Sequence, residues 1–172
     1  VLGGGHGCYA AAADLAEAGH EVRLWRRDAS ALAPVVDTGA IVLVDERGRR
    51  EVPVALASAD IGAAVAGAEL IVVPTPAGAQ DDIARLVAPH LEDGQVVFLA
   101  PGTFGSFVMA RTVRTHGSRA DVAWAETGTL PYLARKLDAR EVRVTIRAVR
   151  LPTGPARGTA GSARRAGGPG RP

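Results

Sequence analysis

The chain has 172 residues and a formal net charge of +2 at pH 7, and 47% of its residues are hydrophobic but only 4% aromatic. This length predicts one domain of ordinary size with a core of small side chains, and the small charge excludes a strong field toward nucleic acid. One cysteine excludes an internal disulfide framework, and no apolar stretch is long enough to span a membrane. We therefore expect a cytoplasmic protein without a signal peptide.

The first element predicted is the end of a strand that leads into a glycine-rich turn and a helix. Because only Val1 and Leu2 precede the turn, the chain is expected to begin within this strand, whose first part is missing. Residues 10–18 are rich in strong helix formers, and Gly19 stands where a C-terminal cap belongs. The residues of the turn are Gly3, Gly4, Gly5, His6, Gly7 and Cys8.

This turn predicts a dinucleotide-binding site. Gly3 would allow a tight turn, Gly5 would let a pyrophosphate approach the backbone, and Cys8 occupies the place of a third glycine. The glycine pattern can also be aligned so that it runs from Gly5 to Ala10. We prefer the alignment that runs from Gly3 to Cys8, because it sets Cys8 at the expected distance before the helix end. The alternative is a glycine-rich turn in an α/β protein that binds no nucleotide.

The second predicted strand, over residues 21–25, ends in two arginines. NAD sites usually carry a carboxylate at this point for the ribose hydroxyls, whereas NADP sites carry arginine. The guanidinium groups of Arg26 and Arg27 can bind a 2′-phosphate, and Asp28 is placed to start the next helix. The sequence therefore favours NADP over NAD, with solvated surface arginines as the alternative.

Strands and helices alternate along the rest of the chain. The further elements predicted are a hairpin over residues 40–55, a short helix capped by Ser58 or Asp60, strands over residues 70–73, 96–100 and 122–125, helices over residues 81–91 and 104–116, and a half-exposed or edge strand over residues 142–146. This order predicts an α/β fold, a Rossmann-like doubly wound and mainly parallel sheet with a small hairpin insertion.

The last 22 residues, 151–172, differ in composition from the rest. They hold six glycines, four prolines and four arginines, and Leu151 is their single large apolar residue. Such a segment cannot bury enough surface to offset its ordering entropy, so a disordered tail is predicted. A nucleic-acid-binding arm is the weaker alternative, because no aromatic residues accompany the arginines.

Several motifs resemble those of octopine/nopaline (opine) dehydrogenases, within the wider 6-phosphogluconate/glycerol-3-phosphate dehydrogenase-like group. The resemblance covers roughly residues 1–152, and its most specific motif is Glu126-Thr127-x-Thr129-Leu130-Pro131-Tyr132. The other motifs are Gly3-Gly4-Gly5-His6-Gly7, Gly19-His20-Glu21-Val22-Arg23-Leu24-Trp25, Val72-Val73-Pro74-Thr75-Pro76-Ala77 and Ala100-Pro101-Gly102-Thr103. Glycerol-3-phosphate dehydrogenase and 2-dehydropantoate 2-reductase also share the start, and the downstream motifs favour the opine group.

The resemblance implies an oxidoreductase of two domains, with the NAD(P)-binding domain over residues 1–150. A helical domain would then supply a catalytic histidine and its carboxylate partner, and the enzyme would join an amino acid to a 2-oxo acid. The resemblance also implies that Pro74, Thr75, Pro101 and Gly102 line the cofactor, at the carboxyl edge of the sheet. Glu126 lies at the same edge, where a structural role is favoured over contact with substrate.

The chain departs from the family after residue 150, where the tail stands in place of the helical domain. We can therefore assign no catalytic residue, and we expect the chain to be inactive alone. A frameshift or a truncated gene would give this ending. The alternatives are a fragment of one of the two related reductases, a binding-only module or a non-functional gene remnant. Apolar surface meant for a second domain predicts poor solubility or a homo-oligomer, and no residue spacing indicates a metal site.

Overall fold

The computed structural model describes residues 1–148 and 150–156. The helices within them are α1 (His6–Glu17), α2 (Ala29–Thr38), α3 (Ile61–Val65), α4 (Ala77–Val87), a 3₁₀ turn (Ala88–His90) and α5 (Gly105–Thr115). The strands are β1 (Arg23–Trp25), β2 (Ala40–Asp45), β3 (Gly48–Pro53), β4 (Leu56–Ser58), β5 (Leu70–Val73), β6 (Val96–Leu99), β7 (Ala123–Thr127), β8 (Tyr132–Lys136), β9 (Glu141–Arg147) and β10 (Thr153–Ala156).

The main sheet is parallel except at one edge, and residues 1–3 lie at its centre. Leu2 bridges to Trp25 of β1 on one side, and its N–H donates to the carbonyl of Val72 in β5 at 2.9 Å on the other. The spatial order is therefore β4, β1, residues 1–3, β5, β6, β7 and β10, with β10 antiparallel to β7. The predicted Rossmann-like, doubly wound architecture is confirmed.

Each face of the main sheet has its own core. On one face α3, α4 and α5 pack around residues such as Leu2, Ile71 and Met109, all nearly or fully inaccessible to solvent. On the other face the alanines of α1 pack closely, together with Leu24 and Val35. Their small side chains let α1 lie against a second layer of structure beyond it.

That second layer is a four-stranded sheet in the order β3, β2, β9 and β8, so the predicted hairpin is part of a larger sheet. The hairpin exists as β2 and β3, but β9 pairs in parallel with β2, and β8 adds to the far side of β9. The strand over residues 142–146 is therefore half-exposed, as predicted, but central rather than at an edge. The alternation of apolar and polar residues within β9 indicates that one face is buried. It does not indicate which strands pair with β9, because those strands are distant in sequence.

Two helices begin with the side-chain caps that their sequences predict. The carboxylate of Asp28 accepts from the Ala31 N–H at 3.0 Å, and that of Asp60 accepts from the Gly62 N–H at 2.8 Å. Of the two caps considered for α3, the structure thus uses Asp60. Helix α1 has no side-chain cap and no acidic residue in its first turn, so no carboxylate of the described residues accepts from its first N–H groups.

Strand β10 lies within the segment whose composition predicted disorder. Residues 153–156 pair with β7, so regular structure continues past the predicted boundary at residue 150. The rest of the predicted tail, residues 157–172, lies outside the described residues. Among the helices of residues 1–156 that the structure describes, none is both long and apolar enough to cross a membrane.

Candidate functional site

The glycine turn leaves the centre of the main sheet and packs directly against the next strand. Gly3 has φ +124°, and a Cβ there would lie 2.7 Å from both the Cys8 sulfur and the Thr75 methyl carbon. Cys8 is fully buried, and its thiol faces the carbonyls of Leu2 and Pro74 at 3.7 and 3.6 Å. Burial raises the pKa of this thiol, so it is a packing residue and a poor nucleophile. This packing matches the register that starts at Gly3.

Gly5 precedes α1 in extended conformation and faces open space. A Cβ at this position would meet no atom of the described residues within 4 Å, in contrast to Gly3. Gly7 lies in the first turn of the helix, where a Cβ would contact the Pro74 carbonyl at 3.4 Å. The turn is thus closed toward the sheet and open above Gly5. An uncapped helix start of this kind offers N–H donors and a favourable dipole to an anion.

The turns at residues 74–75 and 101–102 reach the same edge of the sheet and are joined by Gln80. The sequence did not single out this residue. The buried Gln80 amide donates to the carbonyls of Thr75 and Pro101, both at 3.4 Å. Gly105 leaves room for it, because a Cβ there would lie 1.9 Å from the Gln80 side-chain oxygen. The Thr75 hydroxyl is buried, and within the described residues it has no hydrogen-bond partner.

Glu126, at the same edge of the sheet, uses its carboxylate for hydrogen bonds within the protein. Its two carboxylate oxygens accept from the N–H groups of Phe104 and Ser106, both at 2.9 Å, and so cap α5. A Cβ at Gly102 would lie 2.2 Å from the Cβ of Glu126, so this turn requires glycine. Although burial favours the neutral acid, the hydrogen bonds hold the pKa of Glu126 below its ordinary value. The structural role that the sequence favoured accounts for both oxygens.

The two arginines after β1 point to different places. The side chain of Arg26 lies over Gly4, where a Cβ would come within 2.6 Å of the Arg26 Cδ, and its guanidinium donates to the Ala31 carbonyl at 3.2 Å. Arg27 is exposed, and its guanidinium lies 3.7 Å from the Asp82 carboxylate on α4. The structure thus brings Arg26 to the glycine turn, whereas Arg27 reaches toward α4.

His6 connects the turn to the second sheet. Its Nδ1 accepts from the backbone N–H of Lys136, the last residue of β8, at 3.0 Å. The Lys136 ammonium lies 3.4 Å from the centre of the Tyr9 ring. Lys136 and Tyr9 were not predicted, because only the packing of β8 on α1 brings them to the turn.

Comparison with known proteins gives the family. The sequence matches the family described as ketopantoate reductase PanE/ApbA over residues 1–116. The chain belongs to this family. It is also 31% identical over 150 residues to an opine dehydrogenase from Arthrobacter sp. (strain 1C), covering 87% of this chain and 41% of the relative. The ketopantoate reductase family domain described here is therefore similar in sequence to opine dehydrogenases, as its motifs predicted.

Solved structures of similar fold include two dehydrogenases. Octopine dehydrogenase in complex with NADH and agmatine has a TM-score of 0.77 and 23% identity, covering 92% of this chain and 42% of that one. Yersinopine dehydrogenase with NADP⁺ bound has a TM-score of 0.71 and 16% identity, covering 94% and 42%. At these identities the likeness shows the fold. The chain spans about two fifths of the length of each of these relatives.

Within this ketopantoate reductase family domain, the predicted site residues separate into two groups. The glycine turn, Arg26 and the turns at residues 74–75 and 101–102 lie along one edge of the main sheet, whereas Arg27 pairs with α4. The sequence offered one unused signal for Lys136, which is the only lysine among 172 residues. It offered none for Gln80, whose role depends on two turns meeting in space.

Proposed function

We propose that this chain binds a nicotinamide dinucleotide across the carboxyl edge of the main sheet. The observation that carries the proposal is the uncapped start of α1, with open space above Gly5 and a tightly packed Gly3 beneath it. Residues 3–7 would hold the pyrophosphate, and Arg26 would meet the adenosine ribose. The turns at residues 74–75 and 101–102 would line the nicotinamide half.

The reaction that we propose for the whole protein is the reductive joining of an amino acid to a 2-oxo acid. Support comes from the 31% identity to an opine dehydrogenase, which extends over 150 residues and beyond the family match at residue 116. The reduced cofactor supplies the hydride in this chemistry. This chain contributes binding and orientation, and we propose that alone it binds cofactor without turnover.

A second candidate is the reduction of 2-dehydropantoate. The observation that favours it is the family match itself, which bears the description ketopantoate reductase and covers the whole glycine turn. Both candidates use the same cofactor site, so cofactor binding does not separate them. A cytoplasmic location stays a prediction from the sequence.

The sharpest test of the cofactor site is Gly5→Ala. The added methyl meets no atom of the described residues within 4 Å, so folding should be unaffected, but it would enter the space proposed for the pyrophosphate. We expect calorimetric titration to show NADPH and NADH binding to the wild-type chain, weakened about tenfold or more in the variant. No binding to a folded wild-type chain would overturn the proposal.

The matched control is Gly154→Ala, which also adds a methyl that meets no atom of the described residues within 4 Å. Strand β10 lies four strand positions from residues 1–3, about 19 Å away, so this variant should bind like the wild type. Turnover is tested by following NADPH absorbance with pyruvate plus L-arginine or with 2-dehydropantoate. No turnover is expected; activity with either substrate set would overturn that expectation and identify the reaction.

A further inference from the structure

Lys136 is held in place beside the first turn of α1. Its N–H donates to His6 Nδ1 at 3.0 Å, and its ammonium donates to the Ala139 carbonyl at 2.9 Å while lying 3.4 Å from the centre of the Tyr9 ring. A cation over an aromatic face is attracted by the ring. The positive charge of Lys136, at the end of β8, therefore lies beside the glycine turn on the side of the second sheet.

Arg26 delivers another positive charge to the same place from the main sheet. Its side chain covers Gly4, and the guanidinium lies close to the Tyr9 hydroxyl. Tyr9 is fully buried, and this hydroxyl has no hydrogen-bond partner within the described residues. Burial raises the pKa of Tyr9, and the nearby guanidinium opposes that rise. The Tyr9 ring thus lies next to Lys136, and the Tyr9 hydroxyl lies next to Arg26.

No acidic side chain among residues 1–148 and 150–156 forms an ion pair with Lys136 or Arg26, although Asp138 and Asp28 lie near enough to interact with them electrostatically. Within those residues no carboxylate oxygen lies within 4.0 Å of a nitrogen of Lys136 or Arg26, whereas Arg50 and Arg147 each contact two or more carboxylates. Burial and then the charge of Arg26 lower the pKa of Lys136 to about 8, an effect that Asp138 opposes only in part. An anion between the two cations would relieve their repulsion.

The position of Arg26 identifies that anion. Arg26 directly follows β1, which is the second strand of the fold when residues 1–3 are counted as the first. A fold of this type places the adenosine ribose of a dinucleotide at the end of its second strand. We propose that Lys136 and Arg26 together bind the 2′-phosphate of NADP, so that a strand of the second sheet contributes to selecting NADP over NAD. This inference rests on the proposed dinucleotide binding and adds a specificity residue to it.

The first test compares affinities for NADPH and NADH in the wild-type chain and in Lys136→Met, which keeps the apolar stem. We expect NADPH binding to weaken about tenfold or more and NADH binding to change less than about twofold. Lys136→Arg should restore NADPH binding. Arg135→Met is the matched control, because Arg135 is the exposed neighbour on the same strand and points to the opposite face.

Equal losses for both dinucleotides in Lys136→Met would overturn the proposal and assign Lys136 to the pyrophosphate. Unchanged affinities for both dinucleotides would also overturn the proposal, because Lys136 would then take no part in binding. Failure of the wild-type chain to bind either dinucleotide would overturn the proposed function, and this inference with it. Circular dichroism of each variant separates loss of binding from loss of folding.

A second test uses the fact that the chain has one lysine. Reductive methylation followed by peptide mass spectrometry reports the accessibility of Lys136 separately from that of the N-terminal amine. We expect NADP⁺ and 2′-AMP to protect Lys136, and NAD⁺, 5′-AMP and inorganic phosphate at equal concentration to protect it far less. Equal protection by NAD⁺ and NADP⁺, or no protection by either, would contradict the proposal.

Discussion

At the scale of single residues, the candidate site is shaped by side chains that fill the space beside glycines. Cys8 occupies the space that a Cβ at Gly3 would need, and Glu126 does the same at Gly102. Each pair fixes a backbone turn at the carboxyl edge of the sheet. Next to Gly102, Thr103 and Phe104 have φ of 53° and 67°, an unfavourable conformation for residues with side chains. The cap from Glu126 helps to hold them there.

We predict that Glu126→Gln destabilises the protein by about 1 kcal/mol, because an amide retains one acceptor oxygen for the two N–H groups that the carboxylate satisfies. Urea unfolding measures the change in the free energy of unfolding. Glu69→Gln is the control, since Glu69 is exposed and forms no ion pair among the described residues. If the two variants were equally stable, the cap would contribute nothing.

At the scale of elements, α1 is tied to the second sheet by a cluster of charges. Arg147 of β9 binds Asp14 of α1 at 2.7 Å and Asp45 of β2 at 2.6 Å, and Arg50 of β3 contacts both Asp45 and Glu17. The Asp45 side chain is inaccessible to solvent, and the hydrogen bonds from Arg50 and Arg147 hold its pKa well below its ordinary value. This cluster orients the helix whose first turn forms the candidate site.

We predict that Asp45→Asn destabilises the protein at neutral pH by about 2 kcal/mol, because two buried charge-assisted contacts lose their anion. Since the folded-state pKa of Asp45 is depressed, its contribution is present above the unfolded value and is lost as the pH falls through the folded value. The difference from wild type should therefore shrink in acid, below about pH 4.

Urea unfolding across this pH range checks the prediction, with Asp37→Asn as the control at an exposed aspartate. A difference between Asp45→Asn and wild type that stayed constant into strong acid would contradict the assignment of the stabilisation to the ionised carboxylate.

At the scale of the whole molecule, the carboxyl edge presents apolar side chains to solvent. Phe104 is 80% exposed, Phe107 63% and Val108 46%, and all three lie at or beside the start of α5. Exposed apolar groups that are contiguous favour association with other surfaces. We therefore expect this end of α5 to contribute to the predicted homo-oligomer.

We predict that Phe104→Ser with Phe107→Ser reduces self-association in light scattering, because the double variant removes the two most exposed aromatic side chains of this surface. Val36→Ser is the control, as Val36 is an exposed apolar residue on α2, away from this edge. A wild-type chain that is monomeric at every concentration tested would refute the prediction.

The local features of this protein follow from the sequence alone. The glycine turn, the hairpin, the caps by Asp28 and Asp60 and the buried strands β5 and β6 depend on backbone freedom, short-range hydrogen bonds and local apolar runs. These interactions join residues close in the chain, so their patterns are visible in a single sequence. The alternation of strands and helices then limits the fold to a doubly wound sheet.

The tertiary structure decided which distant residues meet. The second sheet depends on the parallel pairing of β9 with β2, and neither strand indicates its partner by its own pattern. The same packing brings Lys136 to His6, a separation of 130 residues, and brings Gln80 between two turns. The sequence by itself thus determined the glycine turn and its fold, whereas long-range packing determined which charges surround the turn.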